Sequence, residues 1–296
     1  MNSSLLWSPD ISETNIKKFT KKNLSYLKDS TYDSLHEWSI TNKKEFWSSV
    51  WDFTKINGIK NQPIIDNEID FINSKFFKNS KLNFTENCIQ NESDNDAIVF
   101  YSEQQISRRV SWKDLKISVN KLSNYFINSG IRSEERIAGI LPNIPETVIS
   151  FLATAKIGAT WSSCSADFGP RAVIDRFKQI EPKILIVSDY YFYNNKKIDI
   201  LNKIDEILIE LPSVIKVILI PYNKNDQIKD YNFKYNNWYK ILHDEEELKN
   251  FDKFNFNIPL YILFSSGTTG APKCIVHGAG GSLIQHKKEH QLHCNI

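Results

Sequence analysis

The stretch that most restricts what this chain can become is Leu260 to Lys273, LYILFSSGTTGAPK. Leu260 to Phe264 is a short apolar run, β-branched and aromatic in part, the pattern of a buried strand. The next six residues, Ser265, Ser266, Gly267, Thr268, Thr269 and Gly270, are all small or hydroxylated, and Lys273 follows after Ala271 and Pro272. Glycines permit positive φ, successive backbone N–H groups can line an anion-binding nest, hydroxyls add donors, and a lysine supplies a point charge. Such a strand-and-loop suits phosphate. It is not a Walker A loop: with four residues intervening after Gly267, Pro272 stands where that motif requires glycine, and Cys274 follows the lysine in place of Ser or Thr. A Ser/Gly/Thr turn that binds nothing is the bland alternative.

At 296 residues the chain has room for one large or two ordinary domains. Lys plus Arg number 37 against 35 Asp plus Glu, so charge gives no footprint for nucleic acid or a membrane surface. No run of 18 apolar residues occurs, and the N-terminus MNSSLLWSPD lacks the features of a signal peptide. These features lead us to expect a soluble, cytoplasmic protein. Cys88, Cys164, Cys274 and Cys294 form no C-x-x-C pair. His286, His290 and His293 are spaced by four and three, with Cys294 beside them, which permits a metal on helical geometry alone. No carboxylate or second cluster completes a site there, so the expectation is an ordinary polar helix and no metal.

Aromatics and lysines crowd the first 92 residues and glycine is scarce, which predicts helices and connecting loops. In His36–Phe53, Phe46, Trp47, Val50 and Trp51 recur at helical spacing behind Thr41 or Asn42 as N-cap and Glu45 in the first turn. From residue 93 onward strands and helices alternate. Ala97–Glu103 and the segment around Arg109 and Val110 read as a hairpin, and Ser111, with Asp114 three residues on, starts a helix to about Gly130. Arg136–Pro142, Thr160–Ser165, Lys183–Ser188 and Val214–Tyr222 read as strands. Helices are expected over Pro145–Ile157, Gly169–Ile180 and Asp199–Leu211, with helical pieces from Trp238 to about Phe251. Asn223–Asn237 reads as a surface excursion. The fold class is therefore α/β, a helical N-terminal cap followed by a mostly parallel, helix-covered sheet.

Ser265–Lys273 resembles, at all nine positions, the phosphate-loop signature of the adenylate-forming enzymes, the family of acyl-CoA synthetases, luciferases and peptide-synthetase adenylation domains. Two further stretches narrow the resemblance. Residues 1–92 resemble the N-terminal cap of the acetyl- and acetoacetyl-CoA synthetase branch, and Trp161, Ser162, Ser163, Cys164, Ser165, Asp167, Phe168 and Gly169 resemble a string found in acetoacetyl-CoA synthetases. Residues 93–296 then correspond to the N-terminal part of the AMP-binding domain.

The resemblance implies a two-step ligation. ATP and a carboxylate, acetoacetate, give an acyl-adenylate and pyrophosphate; coenzyme A then displaces AMP. ATP, Mg2+ and coenzyme A are the implied substrates and ion. Ser265, Ser266, Gly267, Thr268, Thr269, Gly270 and Lys273 would bind the ATP phosphates. His277 would either face the nucleotide or acyl site or pack as an ordinary histidine. Lys196 and Lys197 stand where relatives place basic residues near the coenzyme A phosphate, although an exposed lysine pair is also the usual look of a solvated surface. Family members continue for about as many residues again, whereas this chain ends at Ile296, 23 residues past Lys273. The expectation is a portion inactive by itself, exposing a sheet edge or apolar face for the remaining part of the same protein. An acetate or propionate ligase, and a non-catalytic nucleotide-binding or interaction module, are the alternatives.

Overall fold

A computed structural model describes residues 10, 12–70, 72–103, 106–223, 235–265 and 270–296. The chain divides into two compact units. The first comprises residues up to Lys81 together with Asn255–Asn257 and Gly280–Ile296; the second comprises Leu82–Phe254 and Ile258–Ala279. The division in chain order falls between Lys81 and Leu82. Its reason is local: Thr85 Oγ donates to Leu152 O (2.7 Å) and Asn83 Nδ2 to Lys156 O (2.9 Å), tying helix α4 (Phe84–Cys88) into the second unit.

In the first unit α1 (Asn15–Lys22), α2 (Tyr32–Thr41) and α3 (Lys43–Phe53) surround Phe19, whose ring lies 5.2 Å from Phe53, 6.0 Å from Phe46 and 6.4 Å from Trp38. Such aromatic packing buries large area in a small helical body. The apolar spacing over His36–Phe53 produces two helices, because Thr41 turns its hydroxyl back to Glu37 O (2.7 Å) and Asn42 leaves helical backbone at φ −118°, ψ 57°. Two short strands follow, β1 (Gly58–Ile59) and β2 (Lys81–Leu82). The C-terminal helix α10 begins at Ala279. There the Gly280 N–H donates to Phe256 O (2.8 Å), and a Cβ on Gly280 would fall 2.2 Å from the Phe256 ring.

The second unit opens with the antiparallel hairpin β3 (Asp96–Tyr101) and β4 (Ser107–Ser111). Ser111 caps α5 (Trp112–Asn128), its hydroxyl accepting from Asp114 N (3.0 Å) and donating to Asp114 Oδ2 (2.8 Å). Then come β5 (Arg136–Leu141), α6 (Pro145–Lys156), β6 (Thr160–Ser165), α7 (Pro170–Ile180) and β7 (Ile184–Ser188). The remaining elements are β8 (Tyr190–Tyr193), β9 (Lys196–Asp199), α8 (Ile204–Ile209), β10 (Lys216–Ile220), β11 (Asn236–Asn237), α9 (Trp238–Asp244), β12 (Phe254–Asn255), β13 (Pro259–Ser265) and β14 (Lys273–Gly278).

Seven strands form one sheet in the order β11-β10-β7-β5-β6-β13-β14, parallel throughout except for β14. Its inner strands β5, β7 and β10 are apolar at nearly every position because both faces are covered there. Ala138, Ile140, Cys164, Leu185, Val187, Val217, Leu219 and Ile262 share one face with Val173, Phe177 and Ile180 of α7 and Ile204 and Ile207 of α8. On the opposite face Phe151 of α6 meets Tyr261 (6.1 Å), and α6 lies on α5 through the Ser123 hydroxyl bonded to Ala153 O (3.2 Å). The link from β5 runs to β6, and that from β6 crosses back over β5 to β7, so the winding reverses beside β13; crevices at the carboxyl ends of strands form at such reversals.

The structure corrects two helices. The expected Asp199–Leu211 helix starts later, at Ile204 after a 3-10 turn, because Lys196–Asp199 pairs with Tyr190–Tyr193 across Asn194 and Asn195, both at positive φ (49° and 57°). Helix α9 ends at Asp244 rather than continuing to about residue 251. Asp244 begins an acidic run, and the negative helix C-terminus disfavours like charge. Glu245 and Glu247 instead accept from Asn124 Nδ2 (2.9 Å) and Asn120 Nδ2 (3.0 Å) of α5. Most of the expected surface excursion, residues 224–234, lies outside the described residues, and its end, Asn236–Asn237, joins the sheet beside β10.

Candidate functional site

The hydroxyl-and-glycine stretch begins at the carboxyl end of β13 and ends at the first residue of β14. Ser265 and Lys273, the first and last residues of the nine-residue signature, stand opposite each other in the antiparallel register. Their Cα atoms are therefore about 5 Å apart. Gly270 is described and exposed, with φ at +150°; Ser266, Gly267, Thr268 and Thr269 lie outside the described residues. On its other side β13 pairs in parallel with β6, Tyr261 against Trp161 and Ile262 against Ser162. Continued three residues, that register sets Ser265 level with Ser165. The loop stem and the Ala166–Gly169 segment thus leave the sheet at the same end, from neighbouring strands.

Side-chain alternation sorts the hairpin. Ser265, Leu263 and Tyr261 share a face with their partners Lys273, Ile275 and His277, while Phe264 and Ile262 share the α7 face with Cys274 and Val276. His277 is on the face of Lys273 but four residues along, about 13 Å toward the amino end of β13. Its ring lies against Tyr261 (4.8 Å between centroids), closing an aromatic row that continues through Phe151 (6.1 Å) to Phe84 (5.6 Å). Of the two readings of His277, this contact supports packing.

Lys196 and Lys197 stand on β9, remote in topology from the loop. Both are exposed, and the Lys197 ammonium lies 3.6 Å from the centroid of Tyr190, within the Tyr190–Phe192–Tyr222 aromatic cluster. Cys164 is buried on the sheet's α7 face, and burial pushes its thiol up to about 12, so it is no nucleophile. His286, His290 and His293 are exposed; a π-helical turn over Glu289–His293 succeeds α10, and His293 Nε2 sits 3.4 Å from Lys288 Nζ. Among the described residues no group of three or more His, Cys, Asp or Glu is placed to hold a metal ion. None of the described helices is long and apolar enough to cross a membrane.

A separate concavity of about 480 Å³ lies near the start of α5 and α6, lined by Arg108, Arg109, Asp114, Glu146 and Trp238 among others. Its floor is the buried pair Arg108–Glu146 (2.5 Å), with the guanidinium 5.0 Å from the Phe100 ring. Ser265, Gly270 and Lys273, the described residues of the predicted phosphate loop, do not line it.

Sequence reasoning gave α7 an apolar face, Val173, Ile174, Phe177 and Ile180, and no other part. The structure adds Gln179, whose Nε2 donates to Pro272 O (3.0 Å), and Arg176, over Phe264 at 5.9 Å. Their spacing of three puts them near one helix side, but the contacts join residues 93 and 88 positions apart, which no local pattern reveals.

The family model described as AMP-binding enzyme matches residues 84–293. The acetoacetyl-coenzyme A synthetase of Rhizobium meliloti (strain 1021) is 38% identical over 276 residues, covering 90% of this chain and 41% of the relative. The acetoacetyl-CoA synthetase of Xenopus tropicalis is 37% identical over 312 residues, 99% of this chain and 46% of its own. In structure, acetoacetyl-CoA synthetase from Streptomyces lividans superposes with a TM-score of 0.91 at 31% identity, over 99% of this chain and 46% of that one. The chain spans a little under half the length of these relatives.

Proposed function

The chain belongs to the AMP-binding enzyme family, and on that premise we propose that it carries the ATP phosphate-gripping part of an acetoacetate–CoA ligase. One observation carries the reading. The signature's two ends, Ser265 and Lys273, face each other at the mouth of a hairpin on the carboxyl side of a parallel sheet. A turn whose two ends are paired across a ladder can converge backbone N–H groups on an anion while the lysine is carried to its rim.

In the proposed reaction the carboxylate of acetoacetate attacks the α-phosphate of ATP and pyrophosphate departs. The demand on the protein is to stabilise charge accumulating on the leaving group with donors fixed in advance. Ser265, Ser266 and Gly267 would shape the loop so that its N–H groups converge; the Thr268 and Thr269 hydroxyls would donate to β- and γ-phosphate oxygens; Gly270 would keep the backbone accessible; Lys273 would contribute the cation. No covalent enzyme intermediate is required. Magnesium, accompanying ATP, would neutralise further charge, but the described residues offer no ligand set for it and no step is assigned through it. Lys196 and Lys197 are proposed for the coenzyme A phosphate on position alone. His277 we leave with the aromatic row.

The two-step ligation is proposed for the whole protein, and further chain of that protein is the proposed partner for the exposed edge at β14. By itself the 296-residue chain is proposed to bind phosphate without completing adenylation, since positioning of every reactant is most of what a ligase supplies. The assay is ATP–pyrophosphate exchange, run on this chain and on a polypeptide as long as the relatives. Acetoacetate-dependent exchange is expected in the longer polypeptide alone, reduced at least tenfold by replacing Thr268, Thr269 and Lys273 with alanine. Exchange that is equal with acetate assigns the acyl specificity elsewhere, and exchange indifferent to the triple replacement removes the loop from the mechanism.

A further inference from the structure

Helix α7 touches both limbs of the turn. On the limb entering it, the Arg176 guanidinium lies 5.9 Å from the ring centroid of Phe264, the residue before Ser265, and 4.8 Å from that of Phe168. Arg176 is held in that place by its own bond to Ala172 O (2.7 Å), and the Phe168 backbone is held by Lys203 Nζ donating to its carbonyl (2.6 Å). On the limb leaving the turn, Gln179 Nε2 donates to Pro272 O (3.0 Å) while its Oε1 accepts from Cys274 Sγ (3.5 Å). One side chain thus grips both neighbours of Lys273.

This bears on where a phosphate would be met. Ser265↔Lys273 is the last pair of the ladder, on an edge strand whose first four residues are exposed, and such an end frays unless something else holds it. Strand pairing fixes Lys273 from β13 only. Gln179 fixes it from the helix, at the preceding carbonyl and the following side chain. We propose that Gln179, braced by Arg176 on the opposite limb, is a positioning residue that holds the chain at Pro272 and Cys274 and so sets the direction of the Lys273 ammonium. The proposal rests on the reading that this turn grips phosphate. It also gives the Trp161–Gly169 string a physical part, since Phe168 is one wall of the Arg176 sandwich.

The test uses the full 296-residue chain with Gln179→Leu, which removes donor and acceptor, and Gln179→Glu, which keeps the shape and the acceptor for Cys274 but loses the donor to Pro272. Amide hydrogen exchange is the first readout. Exchange at residues 273–275 should rise about fivefold in Gln179→Glu, the ratio given by one neutral hydrogen bond, and at least as much in Gln179→Leu, with β5 and β7 unchanged. Inorganic tripolyphosphate affinity, titrated beside Lys273→Ala, is the second, and it should weaken about fivefold in both Gln179 variants without a change in Tm. Should Gln179→Leu lower Tm, Gln179→Glu is the variant to read. Unchanged exchange at 273–275 overturns the brace whatever phosphate does. Faster exchange with wild-type tripolyphosphate affinity, while Lys273→Ala loses it, overturns the positioning role. If the unsubstituted chain takes up no tripolyphosphate, the phosphate reading fails and the positioning role falls with it, while the brace is still judged by exchange.

Discussion

Strands β7 and β14, Ile-Leu-Ile-Val-Ser and Lys-Cys-Ile-Val-His-Gly, share an Ile-Val step and have opposite surroundings. All five residues of β7 are buried, between β5 and β10 and under helices on both faces; the first four of β14 are exposed, with β13 the strand they pair with. Residue type made each segment able to be a strand. Neighbours decided whether it is core. The lysines draw the same contrast: Lys156, 2% exposed, bonds to Asn120 Oδ1 and Leu248 O with its ammonium 3.9 Å from the Phe251 ring, whereas Lys273 stands exposed at the edge. Binding chemistry needs a cation of the second kind, held by its backbone and free at its tip.

The largest effect should come from the centre. Phe177, fully buried between α7 and the sheet, should cost about 3–5 kcal/mol when replaced by alanine, because the cavity adds to the lost transfer energy. Urea unfolding followed by circular dichroism reads this directly, and a loss below about 1 kcal/mol would deny that the centre is packed as described.

Lys156 sharpens the contrast through pH. Burial, with a smaller push from Lys116, brings its ammonium down to about 8 against the opposing pull of Glu247 and Glu86. Between about 8 and the ordinary 10.5 the folded chain has released this proton and the unfolded chain still holds it, so stability rises with pH across that window. Below about 8 both states carry the proton, and the folded state bears the whole burden of the buried charge. Lys156→Met should therefore remove an upward slope of at most about 1.4 kcal/mol per pH unit between pH 8 and 10. Parallel urea titrations of the two proteins check it, and identical slopes would show that this lysine keeps its proton on folding.

What was legible in the sequence follows the same division. Strands β5, β7 and β10 announced themselves as apolar runs because they are buried on both faces. Ser111 announced α5 because a cap is a local bond, to Asp114 three residues on. Gly158 announced the end of α6 because the chain there takes φ +70°, and a Cβ would also fall 2.6 Å from the Phe254 ring. The β8–β9 hairpin was written in Asn194-Asn195 and passed over, while the acidic run that stops α9 is a charge effect that apolar periodicity does not register. For the site, the stem strand and Lys273 were local and readable. The pairing of Ser265 with Lys273, the stacking of His277 on Tyr261 and the grip of Gln179 are properties of the folded sheet.

The smallest effect belongs to the edge, and its smallness is what makes it informative. Leu263, Ile275 and Val276 are 48%, 45% and 56% exposed, and Leu263 and Ile275 are cross-strand partners, so part of this apolar surface is continuous on one face. Replacing both Ile275 and Val276 by threonine keeps β-branched shape and strand propensity while removing little buried area. Stability should shift by less than about 0.5 kcal/mol, the range of surface substitutions that break no special feature. Association should shift much more, because an unpaired edge with exposed apolar side chains templates strand pairing between copies. Sedimentation of the chain across a concentration series should show self-association that the threonine variant loses. A stability loss of about 2 kcal/mol in the variant would mean that these side chains are already covered within the chain, and β14 would then be a second β7.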